Sequence, residues 1–149
     1  MKKTRTWILV ADGARARILQ SEGWGTGLTP VPGQAREMNN PPTREQGTER
    51  PGRVQESANS ARHAMAPRVD WHRYEKHLFA AELAGVLNRA GHEKAFDRLV
   101  IVAPPSTLGD LRAKLDKNTR KRVTAELDKD LTNESLDDLQ AQLEKIVPV

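Results

Sequence analysis

The run Leu99-Val100-Ile101-Val102 is apolar without a break. A strand with one wet face alternates polar and apolar residues. A strand buried on both faces does not, and its usual place is a parallel sheet covered by helices. The run sits inside Phe96 to Ala103, and Pro104-Pro105 stops it. Upstream, Trp71, Tyr74 and Leu78 open an apolar stripe that Phe79, Leu83, Val86, Leu87 and Ala90 continue at helical spacing. That pattern predicts a long helix, capped at its start by Asp70 and ending near Gly91. Downstream, Ser106 or Thr107 can cap a short helix that carries Leu108, Leu111 and Leu115.

Working outward, Thr6-Trp7-Ile8-Leu9-Val10 is a second β-rich run. Asp12-Gly13 follows it, a dipeptide favoured in tight hairpin turns. Ala14, Ala16 and Ile18 then alternate with Arg15, Arg17 and Leu19, a period-2 strand with a basic face. Strands are expected at 5–11 and 14–21. Glycines 23, 25 and 27 mark a turn. Leu28, Pro30 and Val31 make a short third strand that its prolines confine to an edge.

At the other end, Lys117 to Arg122 reads as a basic turn or short helix. Val123, Ala125 and Leu127 read as a strand. Ser135 with Asp138 resembles a capping box ahead of a last helix whose buried stripe is Leu136, Leu139, Leu143 and Ile146. The element order is β-β-β-α-β-α-β-α. Three antiparallel strands followed by strand–helix alternation describe a mixed five-stranded sheet with helices packed on it, the ribonuclease-H-like arrangement.

Between the third strand and the long helix lies a loop, residues 34–69, whose only large apolar side chains before Arg68 are Met38, Val54 and Met65. Loops of this length inside a compact domain are usually functional or disordered. Met38 to Asn59 is expected to be mobile, because it cannot bury enough apolar surface to offset the entropy of ordering. Arg62 to Met65 is expected to dock, with Met65 against Trp71 or Tyr74.

The chain has 149 residues, 37% hydrophobic and 30% charged, which suits one domain with one core. No apolar run approaches a membrane span. Trp7 to Ala11 is too short for a signal-peptide core, so the expected compartment is the cytoplasm. Without cysteine, disulfides and thiolate metal sites are excluded. The net charge is +4 and unevenly spread. Basic residues dominate the first twenty positions and Lys114 to Arg122, whereas the stretch from Val123 is acidic. A basic side attracts polyanions.

Catalytic patterns are thin. The four histidines, His63, His72, His77 and His92, include no i, i+4 pair for a helical zinc site. The acids Asp12, Glu75, Glu82 and Asp97 do not converge as two-metal nuclease chemistry demands. Asp128 and Asp130 read as capping or solvated acids. No phosphate-cradling glycine loop is present. Ser106, Thr107 and Gly109 follow a central strand at a helix start and form a candidate anion site. No metal and no cofactor are expected.

Together, Ala11-Asp12-Gly13-Ala14-Arg15-Ala16-Arg17, Arg50-Pro51-Gly52-Arg53, Arg62-His63-Ala64-Met65, Val102-Ala103-Pro104-Pro105 with Leu108-Gly109 and Leu111-Arg112, and Asp128-Lys129-Asp130-Leu131-Thr132 resemble the bacterial host-attachment protein family. The resemblance covers nearly the whole chain. It implies no defined chemistry. The family is in turn similar to the middle domain of archaeal and eukaryotic class-I peptide chain release factors, a ribonuclease-H-like domain without nuclease acids. That domain carries a Gly-Gly-Gln tip in a basic loop before its long helix. Here Gly52-Arg53-Val54-Gln55 holds the corresponding place, with one glycine instead of two.

The expected function is therefore a non-catalytic RNA- or ribosome-associated module. The residues expected to meet phosphate are Arg15, Arg17, Arg50, Arg53, Gln55, Arg62, His63, Arg68, Lys117, Arg120, Lys121 and Arg122; arginine suits the role because its planar fork grips phosphate bidentately. One alternative is an esterase-type hydrolase of peptidyl-tRNA, with Gln55 or His63 positioning water. The other is a protein-interaction factor in attachment, whose loop 34–69 folds on a protein partner.

Overall fold

In the computed structural model the chain is described over residues 4–23, 26–33, 36–37 and 67–147, the side chains at 36–37 and 67–71 excepted. Strand β1, Thr6–Ala11, is buried at every position. It pairs antiparallel with β2, Arg15–Ser21, and parallel with β5, Arg98–Val102. The apolar run of β5 is therefore central, as its lack of alternation requires. On its far side β6, Val123–Leu127, pairs parallel with a bulge that leaves Thr124 without a partner in β5. Beyond β2 lies β3, Thr29–Pro30. The order is β3-β2-β1-β5-β6, the expected five strands. A further two-residue strand, β4 at Arg36–Glu37, pairs with β2 inside the segment read as loop.

Helix α1, Pro67–His92, and helix α2, Pro105–Lys114, cover one face of the sheet. Their core joins Trp7, Leu9, Ile18, Leu99 and Ile101 to Phe79, Leu83, Leu87 and Leu111. Helix α3, Lys117–Arg122, leads into β6. Helix α4, Leu136–Leu143, covers the other face, where Ile8, Val10, Leu19, Val100 and Val102 meet Leu139 and Leu143. With apolar layers on both faces, β1 and β5 have no wet side.

Several expectations need correction. Asp70 is not an N-cap, because α1 begins at Pro67, in keeping with the fitness of proline for a first helical turn. Ser106 and Thr107 do not cap α2 either; its N-cap is Pro104, with no side-chain hydrogen bond. Tyr74 and Leu78 are exposed, because each lies one position before a residue of the buried row Glu75, Phe79 and Leu83 and so about 100° around the helix from the face that meets the sheet. Ile146 lies past the end of α4 and is exposed; Val147 closes that core instead. Ser135 does cap α4, accepting from the Asp138 N–H at 3.1 Å.

Candidate nucleic-acid interface

The carboxyl ends of β1 and β6 form one end of the molecule, and its chemistry is internal. Asp12 turns the chain from β1 into β2. Its Oδ1 accepts from the N–H groups of Ala14 and Arg15, both at 2.7 Å. Gly13 does not take the positive φ of a two-residue hairpin. Its missing side chain matters differently: a Cβ there would meet the Lys76 side chain at 2.8 Å. Asp12 Oδ2 accepts from the Thr132 hydroxyl at 3.1 Å and faces Arg15 Nη2 at 3.6 Å. Burial pushes the Asp12 carboxyl up, but those donors and the Arg15 charge outweigh it and hold it below its ordinary value.

The basic face expected on β2 is thus largely spent. Arg15 is half-exposed but pairs with Asp12. Arg17 turns under the connection into α4, donates to the Glu134 carbonyl, and buries its Nε. The same end carries Arg112 bound to Glu126 through Nε at 2.9 Å, with Asp128 and Asp130 nearby in the chain. Asp130 is occupied in its own turn, accepting from the Thr132 N–H at 3.1 Å. The candidate anion site is also at this end. There Thr107 is buried, while Ser106 and Gly109 are exposed.

The opposite end, at the amino ends of β5 and β6, is built to carry positive charge. Asp116 caps α3 by accepting from the Thr119 N–H at 2.8 Å. Its other oxygen meets His92 Nε2 at 3.0 Å, and its own N–H donates to Asn88 Oδ1 at 2.9 Å. The Thr119 N–H first, then the Thr119 hydroxyl and His92, hold the Asp116 carboxyl below its ordinary value although burial opposes them. The cap thus ties α3 to the end of α1. Arg120, Lys121 and Arg122 fill the last turn, where cations favour the helix dipole.

Arg122 is half-buried and donates to the Phe96 carbonyl at 3.4 Å. Arg5 donates to the Lys94 carbonyl at 2.6 Å and lies 3.7 Å from Asp97. Lys94, Arg98, Lys117, Arg120 and Lys121 are exposed. Among the described residues, Lys117, Arg120 and Lys121 have no ion-pair partner. Of the acids at this end, Asp116 is engaged by His92 and the α3 cap and Asp97 by Arg5, while Glu93, next to Lys94, is exposed.

The structure therefore brings Lys117, Arg120, Lys121 and Arg122 together and adds Arg5, Lys94 and Arg98, which sequence reasoning missed. The signal for Arg5 and Arg98 is the parallel register that pairs Thr6 with Arg98. Arg15 and Arg17 lie near the far end of β1, about 17 Å away along the strand. Arg50, Arg53, Gln55, Arg62 and His63 lie outside the described residues, as do the expected mobility of 38–59 and docking of Met65. Arg68 stands in the first turn of α1, its side chain outside them too. Among the described residues no three His, Asp or Glu gather to hold a metal ion, and no helix is long and apolar enough to cross a membrane.

A family model described as "Protein required for attachment to host cells" matches residues 7–143. The chain belongs to this host-attachment family. The match runs from β1 to the end of α4, so it takes in both ends of the sheet. Among curated proteins no relative matches the chain.

Proposed function

We propose that this member of the host-attachment family is a non-catalytic RNA-binding module whose contact surface is the α3 end of the sheet. The observation that supports the reading is the set Lys117, Arg120 and Lys121, exposed and without an ionic partner among the described residues. An ordinary solvated surface intersperses its charges. Here Asp116 and Asp97 are drawn inward to cap α3 and to hold Arg5. The side chains left outside are mainly cations, with Arg98 and Lys94 extending the row and the exposed Glu93 beside Lys94 as a counter-charge.

Such a group grips phosphate oxygens and supplies neither a nucleophile nor a general base. The sheet order, three antiparallel strands followed by two parallel ones, supports a ribonuclease-H-like fold. β1 carries no acid, in keeping with a domain of that kind that binds without cutting. Ribosomal RNA is the intended partner in this reading. The basic loop 34–69 is its second contact, and the cytoplasm its compartment.

The test is filter binding of ribosomal RNA fragments to three proteins. Wild type and Arg15→Glu bind alike, because Arg15 is at the wrong end. The triple variant Lys117→Gln, Arg120→Gln, Lys121→Gln loses at least about tenfold in affinity, as removal of several phosphate contacts requires. Unchanged binding by the triple variant refutes the assignment of the surface.

A further inference from the structure

Helices α1 and α2 run the same way over the sheet. Near its start, α1 lays the Lys76 side chain against Gly13, at the carboxyl end of β1. Near its end, Asn88 donates to the Lys114 carbonyl at 3.2 Å, at the far end of α2. Between these points a polar pair joins the two helices: His77 Nδ1 lies 2.7 Å from Asp110 Oδ2. The Asp110 side chain is mostly covered, at 22% exposure, whereas the His77 ring is half-exposed, at 51%. A carboxylate on Nδ1 settles the tautomer: the ring proton stays on Nδ1 and the lone pair on Nε2, the nitrogen farther from the main chain. The same carboxylate stabilises the ring when it becomes a cation. No described residue makes a hydrogen bond to Nε2. His92 has the opposite arrangement. Its Nε2 faces Asp116, which also caps α3, and the nitrogen left over is Nδ1, crowded by its own Cβ.

We propose that His77 Nε2 accepts a phosphoryl group from a small acyl phosphate. The Nε2 lone pair attacks phosphorus, the bond between phosphorus and the acyl oxygen breaks, and the carboxylate leaves with that electron pair. No proton moves. Nδ1 keeps its own, and the ring becomes an imidazolium that the Asp110 carboxylate holds. Charge balances: a dianionic donor and a neutral ring give a carboxylate anion and a singly negative phosphoimidazolium.

The surroundings favour phosphoryl acceptance over general-base work. A general base needs its substrate held in place, whereas a half-exposed nucleophile suits a small donor arriving from solution. Arg73 lies one turn before His77 on α1, and Ser106 one turn before Asp110 on α2, each on the same helix row as the residue it precedes. Because the helices run the same way, both stand on one side of the pair, and both are exposed. A guanidinium and a hydroxyl there donate to phosphoryl oxygens. The site lies about 22 Å along α1 from His92, so it is separate from the surface assigned to RNA.

The test incubates full-length protein with acetyl phosphate and follows intact mass, with the site mapped by fragmentation. Wild type gains one phosphoryl group on His77. The group is stable in alkali and lost in acid, which marks a phosphoramidate and separates it from a serine ester or an acyl phosphate on a carboxylate. Phosphorus NMR places it on Nε2. His77→Gln abolishes the label, and His72→Gln leaves it unchanged. Asp110→Asn keeps the side-chain volume, loses the charge that holds the imidazolium, and slows labelling at least about tenfold while circular dichroism stays that of wild type. Arg73→Gln slows it about threefold. Label spread evenly over His72, His77 and His92 overturns the proposal. So does a phosphoryl group on Nδ1, or an Asp110→Asn protein labelled as fast as wild type.

Discussion

Asp12→Ala tests how the β1–β2 turn is held. The carboxylate accepts two main-chain N–H groups at 2.7 Å and the Thr132 hydroxyl at 3.1 Å. Each hydrogen bond contributes a net of about 0.5–1.5 kcal/mol, because the freed groups return to water. Thr132 leaves no orphan, since its hydroxyl already lies 2.6 Å from Asp130 Oδ1. The loss is therefore dominated by the two turn N–H groups and comes to about 2 kcal/mol in all. Asp12→Asn keeps an acceptor for those groups and loses only the charge, costing about 1 kcal/mol.

The pH dependence has a definite sign. The folded carboxyl is held below its ordinary value of 3.8. Its contribution is complete above that value and fades as pH falls through the folded one. Urea unfolding followed by circular dichroism at pH 7 and in steps below pH 4 measures both effects. Wild type and Asp12→Asn converge in acid. An Asp12→Ala loss under about 0.5 kcal/mol at pH 7, or a wild-type advantage that persists in acid, refutes the reasoning.

Leu87→Ala opens a cavity between α1 and the sheet, where Leu87 is fully buried, and costs about 3 kcal/mol in the same assay. Gly91→Ala improves helix propensity yet destabilises by about 1 kcal/mol, because its Cβ would sit 3.0 Å from Thr119 Oγ1 and 3.4 Å from the Phe96 ring. A Gly91→Ala protein with a raised melting temperature would show that α3 gives way freely.

How much of this was legible depended on which physical signal was local. The unbroken Leu99-Val100-Ile101-Val102 run placed β5 in the middle of a parallel arrangement, where burial on both faces removes alternation. Ser135 and the α4 stripe were readable because a cap and a 3.6-residue period lie within a few positions of each other. Along α1 the row Tyr74 and Leu78 lies beside the row Phe79 and Leu83, and the period alone does not say which of the two meets the sheet. Tyr74 and Leu78 were misplaced for that reason.

Arg15 and Arg17 look alike in sequence, and only tertiary contacts with Asp12 and the Glu134 carbonyl separate them. The α3 cations were visible as a charge run. Their isolation from acids was not, because it rests on His92, a helix away, drawing Asp116 inward. Arg5 and Arg98 join them only through strand register.

The central claim is that the α3 end binds RNA through phosphate. Fluorescence anisotropy of a labelled single-stranded ribosomal RNA fragment, titrated between about 50 and 200 mM salt, tests it most directly. With three or four phosphate contacts, the log of the binding constant falls against the log of salt with a slope of about −2 to −3. Neutralising Lys117, Arg120 and Lys121 to Gln makes that slope shallower by about 2. Absent binding at low salt, or the same slope in wild type and variant, contradicts the account.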